Sequence, residues 1–286
     1  MPPCHQEPEK VLTGTDSCII KHHDMETKAL FFDIDGTLVS FETHRVPQST
    51  VDALTAAKAR GVQVYIATGR PLSIIHNIGQ IESLIDGYVT TNGALCLKGQ
   101  EVIARHAIPW YDVQTMVREA TAGDFPVIIV GESRCVVHNF KEQVDRIFRV
   151  GLGVDNIDYS ESIDDIRGED ILQMTPFVNE TEEERLMSLL PSCISGRWHP
   201  EFTDVTSKEA DKGHGLQAMA LHEGLDINET MAFGDGCNDI PLIQAAGIGI
   251  AMGNAGTGLK AVADYVTTSV DDDGVARALR HFQVID

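Results

Sequence analysis

Short apolar runs alternate with Ala-rich stretches along much of the chain. Apolar runs over residues 28–33, 62–67 and 87–90 predict short buried strands. The Ala-rich stretch over 47–60 ends at Gly61, the residue type that commonly follows a helix. Strands and helices in this alternation predict right-handed βαβ units and a mostly parallel sheet.

The pattern changes in the middle of the chain, where short strands are joined by hairpins and helices. Strands are predicted there at 127–130, 135–138, 171–177 and 193–198, with helices at 111–122, 141–150 and 181–190. This mixture predicts an inserted α+β module. After the module the βα alternation resumes, with helices predicted at 215–222, 240–245 and 274–281 and strands at 231–234, 248–252 and 265–267.

The predicted fold class is therefore α/β, a doubly wound, Rossmann-like parallel-sheet core with an inserted α+β domain. The core is expected over residues 25–107 and 203–286, and the inserted domain over 108–202. Residues 1–24 lack the apolar core of a secretory signal, and we expect a disordered N-terminal extension there.

Composition narrows the class of protein. The chain has 286 residues, of which 43% are hydrophobic and 23% charged, as in ordinary globular proteins. A formal net charge of −21 opposes a nucleic-acid or membrane-surface partner, since both are polyanions. The six cysteines are scattered without a CxxC pair, which favours a reduced cytoplasmic protein, and we expect a monomer or weak homo-oligomer.

The first candidate for chemistry is a pair of acids directly after the first predicted strand. Asp33 and Asp35 lie two residues apart, so one can attack a reacting centre while the other handles the leaving-group proton. Gly36 permits the tight turn that brings them together. The alternative is a surface loop rich in turn formers. A calcium loop of the EF-hand type is excluded, because its glycine stands sixth and this one stands fourth.

Two further segments offer phosphate-binding groups. Thr68 and Gly69, followed by Arg70, provide a hydroxyl and backbone amides at a predicted helix start, which suits a phosphate; a simple helix cap is the alternative. Lys212 opens another predicted helix and can offset phosphate charge. A lone lysine is usually a solvated surface residue, and Lys208 is a competing candidate.

The fourth segment follows the strand predicted at 231–234. Magnesium prefers one or two carboxylates together with water and substrate phosphate, so Asp235 is a candidate ligand. Asp239 can bind the metal or orient its waters, and Asn238 adds a neutral donor for a phosphate oxygen. The alternative is an acidic loop that caps the next helix.

Taken together, the segments FFDIDGTL, ATGRP, DKGHGL and FGDGCNDIPL resemble, in this order, the four motifs of the haloacid dehalogenase superfamily phosphatases. AMGNA at 251–255 adds to the resemblance, which runs from about Thr27 to the C-terminus. The inserted module looks like the type IIB cap of the Cof-type branch, and the chain resembles bacterial sugar-phosphate phosphatases.

The resemblance implies a role for each motif residue. Asp33 would be the nucleophile and Asp35 the general acid and base, while Thr68 and Lys212 would hold the phosphoryl group. Mg²⁺ would be bound by the Asp33 carboxylate, the Asp35 backbone carbonyl and Asp235, with Asp239 in support and Asn238 near the phosphate. The implied partner is a small phosphorylated metabolite, most simply a hexose phosphate.

Two residues outside these motifs are weaker candidates for substrate binding. Arg197 lies near the return from the cap to the core, where it can meet a sugar or simply pack at a strand end. Asn92 can face the site or make a turn. Two rival functions stay open. One is a phosphomutase with the same aspartyl-phosphate, and the other is a non-catalytic phosphosugar-binding protein.

Overall fold

The computed structural model describes residues 26–75, 77–151 and 162–286. The extension predicted at 1–24 lies outside these ranges. No helix within them combines the length and apolar character needed to cross a bilayer.

Thirteen strands and eight helices are defined in the described ranges. The strands are β1 Ala29–Phe32, β2 Gln63–Ala67, β3 Gly87–Thr90, β4 Leu95–Lys98, β5 Glu101–Arg105, β6 Val127–Val130, β7 Cys135–His138, β8 Gln173–Pro176, β9 Cys193–His199, β10 Phe202–Ser207, β11 Thr230–Gly234, β12 Ile248–Ala251 and β13 Tyr265–Val266. The helices are α1 Gln48–Ala59, α2 Trp110–Gly123, α3 Glu142–Asp145, α4 Glu180–Met187, α5 Lys212–Glu223, α6 Ile240–Ala245, α7 Thr257–Lys260 and α8 Gly274–His281.

The larger sheet has eight strands in the order β13-β12-β11-β1-β2-β3-β4-β5. The strands from β13 to β3 run parallel, and β4 and β5 extend the sheet as an antiparallel hairpin. Strand β1 lies near the centre, between β11 and β2. The predicted α/β class with a Rossmann-like core is thereby confirmed.

Helices cover both faces of this sheet, which explains why β1 is apolar at every position. Leu30 and Phe32 pack in the cluster that includes α1 and α8. Ala29 and Phe31 point to the opposite face, which carries α5 and α6. Because all four side chains are fully buried, β1 is held firmly at the centre of the core.

A second sheet of five antiparallel strands, in the order β7-β6-β8-β10-β9, lies within the inserted segment. One of its faces packs on α2 and α4 through Val127, Met174 and Val205. Its other face shares an apolar cluster with Ile74, which comes from the loop after β2 of the core sheet. The inserted segment therefore contacts the core close to the carboxyl end of β2.

The structure corrects the boundary predicted at residue 203. Strand β10 pairs with β8 and β9, so Phe202–Ser207 belongs to the second sheet as a whole. All six of its residues are buried within that sheet, and the chain returns to the core only after Ser207. The hairpin β4–β5 is absent from the prediction, although a glycine between two short apolar runs is a hairpin signal in sequence. In the structure that residue, Gly99, has a positive φ.

Candidate active site

Residues from separate motifs meet at the carboxyl edge of the larger sheet. Asp33 follows β1, Thr68 follows β2 and Asp235 follows β11, and these three strands lie close together in the sheet. Lys212 is the first residue of α5. Because parallel strands end at a common edge, positions far apart in sequence reach one crevice.

A buried lysine joins two of the acids. Lys212 Nζ lies 2.6 Å from Asp33 Oδ1 and 2.6 Å from Asp239 Oδ1. Lys212 and Asp239 are fully buried, and Asp33 is 7% exposed. Burial lowers the pKa of Lys212, but the charges of Asp239 and Asp33 outweigh it and leave that pKa raised, so the ammonium stays protonated. Lys208 is exposed, so the buried cation at this site is Lys212.

The third acid of the cluster is Asp235, which is 2% exposed. Its Oδ1 accepts a hydrogen bond from Thr37 Oγ1 at 3.3 Å, and its Oδ2 accepts one from Asn254 Nδ2 at 3.2 Å. The Asn254 amide also donates to the Gly36 carbonyl at 2.8 Å. Asn254 therefore connects Asp235 to the loop that carries Asp33.

These acids fit a divalent cation. One carboxylate oxygen from each of Asp33, Asp235 and Asp239 lies within 4.8 Å of the others. Burial raises the pKa of Asp33 to about 7 in spite of Lys212, and burial followed by the charge of Asp33 raises that of Asp235 to about 8. Three buried acids around one ammonium leave negative charge uncompensated, and a hard oxygen-binding cation offsets it.

Asp239 contributes mainly by fixing its neighbours. Its Oδ2 accepts the backbone N–H groups of Asp235 and Gly236, at 3.0 and 2.9 Å. Its Oδ1 is already bonded to Lys212. Both oxygens are therefore engaged within the protein, which suits a residue that orients Lys212 and the Asp235 loop.

Gly36 allows the loop of the first motif to pass close to Asp235 of the fourth motif. Its φ of +82° lies in the left-handed region, and a side chain there would overlap the Asp235 carboxylate and the Phe41 ring. The turn also brings the Leu38 and Val39 N–H groups onto the Ile34 carbonyl.

The second acid of the first motif, Asp35, is bound by Arg70. Arg70 Nε donates to Asp35 Oδ2 at 2.8 Å, and Nη2 donates to Asp35 Oδ1 at 2.6 Å. The side chain of Asp35 is 38% exposed, whereas the three clustered acids are buried. The structure thus separates the two acids of the motif into different surroundings.

The segment after β2 differs in part from its prediction. Thr68 is buried, and its Oγ1 accepts the Arg70 N–H at 3.1 Å. The helix expected to follow is only a 3-10 turn over Leu72–Ile74. A turn this short aligns few peptide dipoles, so any help to phosphate binding here comes from the individual hydroxyl and amide groups and not from a helix dipole.

Two asparagines meet beside this turn. Asn238 Nδ2 donates to Asn92 Oδ1 at 3.1 Å, and a Cβ at Gly69 would lie 3.1 Å from the same oxygen. Asn92 has a φ of 52° within the turn Thr91–Gly93. The structure therefore brings Gly69, Asn92 and Asn238 together.

Arg197 has a different place from the one predicted for it. Its Nε donates to Glu183 at 2.5 Å, and its Nη2 donates to the Val178 carbonyl at 2.9 Å. Nη1 donates to the carbonyls of His199, Pro200 and Phe202. With the side chain 11% exposed, the guanidinium ties α4 to the end of β9 and is not free to bind a sugar.

Three contributors to the site have no role in the sequence interpretation, namely Thr37, Arg70 and Asn254. All three lie inside the motif segments, and that location is the sequence feature that could have marked them as site residues. Their partners could not be deduced, because each contact joins residues at least 35 positions apart or depends on a loop conformation.

The chain is similar to several known proteins. A profile of the haloacid dehalogenase-like hydrolases matches residues 30–279. The Bacillus subtilis protein YkrA is 32% identical, over 91% of this chain and 100% of its own length. A solved sugar phosphatase of HAD subclass IIB is 47% identical, with a TM-score of 0.85 and coverage of 91% of this chain and 100% of that one. A solved HAD phosphatase from Bacteroides thetaiotaomicron is 36% identical, with a TM-score of 0.83 and coverage of 94% and 100%.

Proposed function

Since this chain belongs to the haloacid dehalogenase-like hydrolase family and is a phosphatase, we propose that it hydrolyses small sugar phosphates through an aspartyl-phosphate on Asp33. Hexose phosphates are the first candidates. The sugar class is supported by the 47% identical subclass IIB structure, which is that of a sugar phosphatase. The observation that carries the mechanism is the buried contact of Lys212 with Asp33 and Asp239.

In the first step the Asp33 carboxylate attacks phosphorus. Its Oδ1 is held by Lys212, and among the described residues no hydrogen bond is made to Oδ2, which makes Oδ2 the attacking oxygen. As the bond between phosphorus and the sugar oxygen breaks, the Asp35 carboxyl gives its proton to that oxygen. The sugar leaves as an alcohol, and Asp33 carries the phosphoryl group.

In the second step the Asp35 carboxylate takes a proton from water, and the water oxygen attacks phosphorus. The bond from phosphorus to Asp33 breaks, inorganic phosphate is released, and both acids return to their starting states. The Lys212 ammonium neutralises charge on the phosphoryl oxygens throughout, because it is fixed before the substrate arrives.

Members of this family use a divalent metal, and the cluster fits Mg²⁺. The ion would be held by the carboxylates of Asp33 and Asp235 and the backbone carbonyl of Asp35, with Asp239 in support, and would supply positive charge against the phosphoryl oxygens. Thr68, Gly69, Asn92 and Asn238 would surround the phosphoryl group.

Phosphate release from a panel of hexose phosphates and from para-nitrophenyl phosphate tests the proposal, with Mg²⁺ or with EDTA. We expect Mg²⁺-dependent release that Asp33→Asn lowers by at least about 10³-fold, and no change in Asp52→Asn, whose carboxylate is exposed on α1. Activity that survives Asp33→Asn would exclude the aspartyl-phosphate. Sugar isomers without inorganic phosphate would indicate a phosphomutase, and no turnover would indicate a binding protein.

A further inference from the structure

We propose that Arg70 is a positioning residue, which holds the Asp35 carboxyl group in the orientation needed to give a proton to the leaving oxygen in the first step and to take one from water in the second. This inference rests on the proposed function, in which Asp35 is the acid and base. The proposed function gives Arg70 no role, and the sequence marks it only as part of the motif segment that contains Thr68. The structure adds a two-point contact of its guanidinium with both oxygens of Asp35, at 2.8 and 2.6 Å.

The contact matters because Asp35 is otherwise poorly held. Its side chain is 38% exposed and stands on a loop, whereas Asp33, Asp235 and Asp239 are packed and hydrogen-bonded. In the described residues no other side chain bonds to the Asp35 carboxylate. A carboxylate gripped at one oxygen can still rotate, but a planar guanidinium that binds both oxygens fixes its plane.

Arg70 is itself well anchored. Its N–H donates to Thr68 Oγ1 at 3.1 Å, and its carbonyl accepts the Thr91 N–H at 3.1 Å. Its Nη1 also points to Asn77 Oδ1 at 3.4 Å, and the side chain is 15% exposed. The anchor therefore joins the acid on the first motif to Thr68, the residue expected to hold the phosphoryl group.

This connection suggests what Arg70 does for the reaction. Proton transfer requires the donor oxygen within hydrogen-bond reach of the oxygen that leaves, and an error of about 1 Å can reduce the rate on the order of 10²-fold. Because Arg70 and Thr68 are consecutive parts of one turn, the positions of the acid and of the phosphoryl group are set together. Loss of Arg70 should therefore impair proton transfer and leave the attack of Asp33 intact.

The leaving group distinguishes this role from general damage. A nitrophenolate leaves without needing a proton, whereas a sugar alkoxide needs one, but both substrates need Asp35 as base in the second step. With para-nitrophenyl phosphate, Arg70→Gln should therefore keep a fast burst of nitrophenolate that matches the enzyme concentration, followed by a steady rate lowered about 10–100-fold. With a hexose phosphate, the first step should slow by a similar factor.

The experiment is rapid-quench kinetics on wild type, Arg70→Gln, Arg70→Lys, Asp35→Asn and the double variant Arg70→Gln with Asp35→Asn. Arg60→Gln is the matched control, because Arg60 pairs with Asp286 on the surface at the end of α1. Arg70→Lys keeps the positive charge but cannot bind both oxygens of Asp35 in one plane. We therefore expect its steady rate to lie between those of wild type and Arg70→Gln. In the Asp35→Asn background, Arg70→Gln should change the steady rate, which it lowers in the wild-type background, by less than about 2-fold.

Several outcomes would overturn the inference. They are a burst and a steady rate that fall together in Arg70→Gln, an unchanged steady rate, or an undiminished effect of Arg70→Gln in the Asp35→Asn background. The last would mean that Arg70 binds substrate directly. If Arg70→Gln has an altered circular dichroism spectrum, the comparison of wild type with Arg70→Lys decides instead. A wild type that releases neither nitrophenolate nor phosphate would instead refute the proposed function itself, and this inference with it.

Discussion

Lys212 Nζ lies 2.6 Å from Asp239 Oδ1, and both side chains are fully buried. Asp239 is also fixed by the backbone N–H groups of Asp235 and Gly236. The position of the ammonium is therefore set by a carboxylate that need not take part in the reaction. This leaves the second contact of Lys212, with Asp33, available to the chemistry.

Replacing Lys212 should abolish turnover. We expect Lys212→Met to lower kcat by about 10³-fold or more, because the buried acids lose the cation that compensates them and the phosphoryl group loses a fixed positive charge. Lys208→Met is the matched control, since Lys208 is exposed four residues away. Steady-state phosphate release gives kcat for both variants. Equal losses of kcat would contradict the role of Lys212 in holding the phosphoryl group.

Magnesium should stabilise the fold more strongly as the pH rises. In the metal-free protein the pKa of Asp33 is raised to about 7 and that of Asp235 to about 8, above their values of about 4 in the unfolded chain. The folded state therefore binds more protons than the unfolded state between about pH 4 and pH 8, and its stability falls as the pH rises through that range.

A bound divalent cation removes this penalty by pairing with the ionised acids. The rise in Tm on replacing EDTA with Mg²⁺ should be larger at about pH 8 than at about pH 6. The free energy of unfolding should rise by about 2.7 kcal/mol when the ion is present at about 100 times its Kd. Thermal unfolding of wild type and of Asp33→Asn with Asp235→Asn gives the comparison. A Mg²⁺ effect that is independent of pH would contradict the prediction.

Asn254 should control metal affinity without touching the substrate. Its amide bonds Asp235 and the Gly36 carbonyl, and its Oδ1 accepts the Val270 N–H at 3.1 Å. Loss of a residue that orients a metal ligand commonly reduces affinity about 10–100-fold. We expect Asn254→Ala to raise the Mg²⁺ concentration for half-maximal activity by that factor, with kcat largely recovered at saturation. Asn228→Ala, at an exposed position, should change neither value.

Gly93 should tolerate no side chain. Its φ is +90°, and a Cβ would overlap the backbone carbonyl of Asp211, just before Lys212. Gly93→Ala should lower the free energy of unfolding in urea by at least about 2 kcal/mol and reduce activity. Gly61→Ala shares a φ of +84° but meets nothing within 4 Å, so it should cost about 1 kcal/mol and leave activity intact. Equal effects on stability would refute the steric explanation.

Arg197 should matter for the stability of the cap sheet. Arg197→Met removes the donor to Glu183 Oε2 and to several backbone carbonyls, so we expect about 3 kcal/mol lower stability with kcat/KM for a hexose phosphate within about 3-fold of wild type. Arg185→Met, at a half-exposed salt bridge with Glu119, should cost less than about 1 kcal/mol. If Arg197→Met raised KM and left the stability unchanged, the predicted substrate-binding role of Arg197 would be supported instead.

The sequence alone was enough for the α/β class and for the strands that carry the motifs. Apolar runs such as 29–32 are dictated by burial on both faces of a parallel sheet, and that constraint is visible in all four residues of the run. Asp33, Asp235 and Lys212 were found for a related reason, since each stands at the end of a strand or the start of a helix within a recognisable motif.

Tertiary structure decided which groups face one another. Asp35 pairs with Arg70, and Asn92 pairs with Asn238. Arg197 bonds Glu183 inside the cap. Each contact joins segments that are brought together only when the chain folds. Likewise, β10 belongs to the second sheet because of its neighbours β8 and β9. Local sequence sets backbone preference and burial, but hydrogen-bond partners and sheet membership depend on distances that only the packed molecule defines.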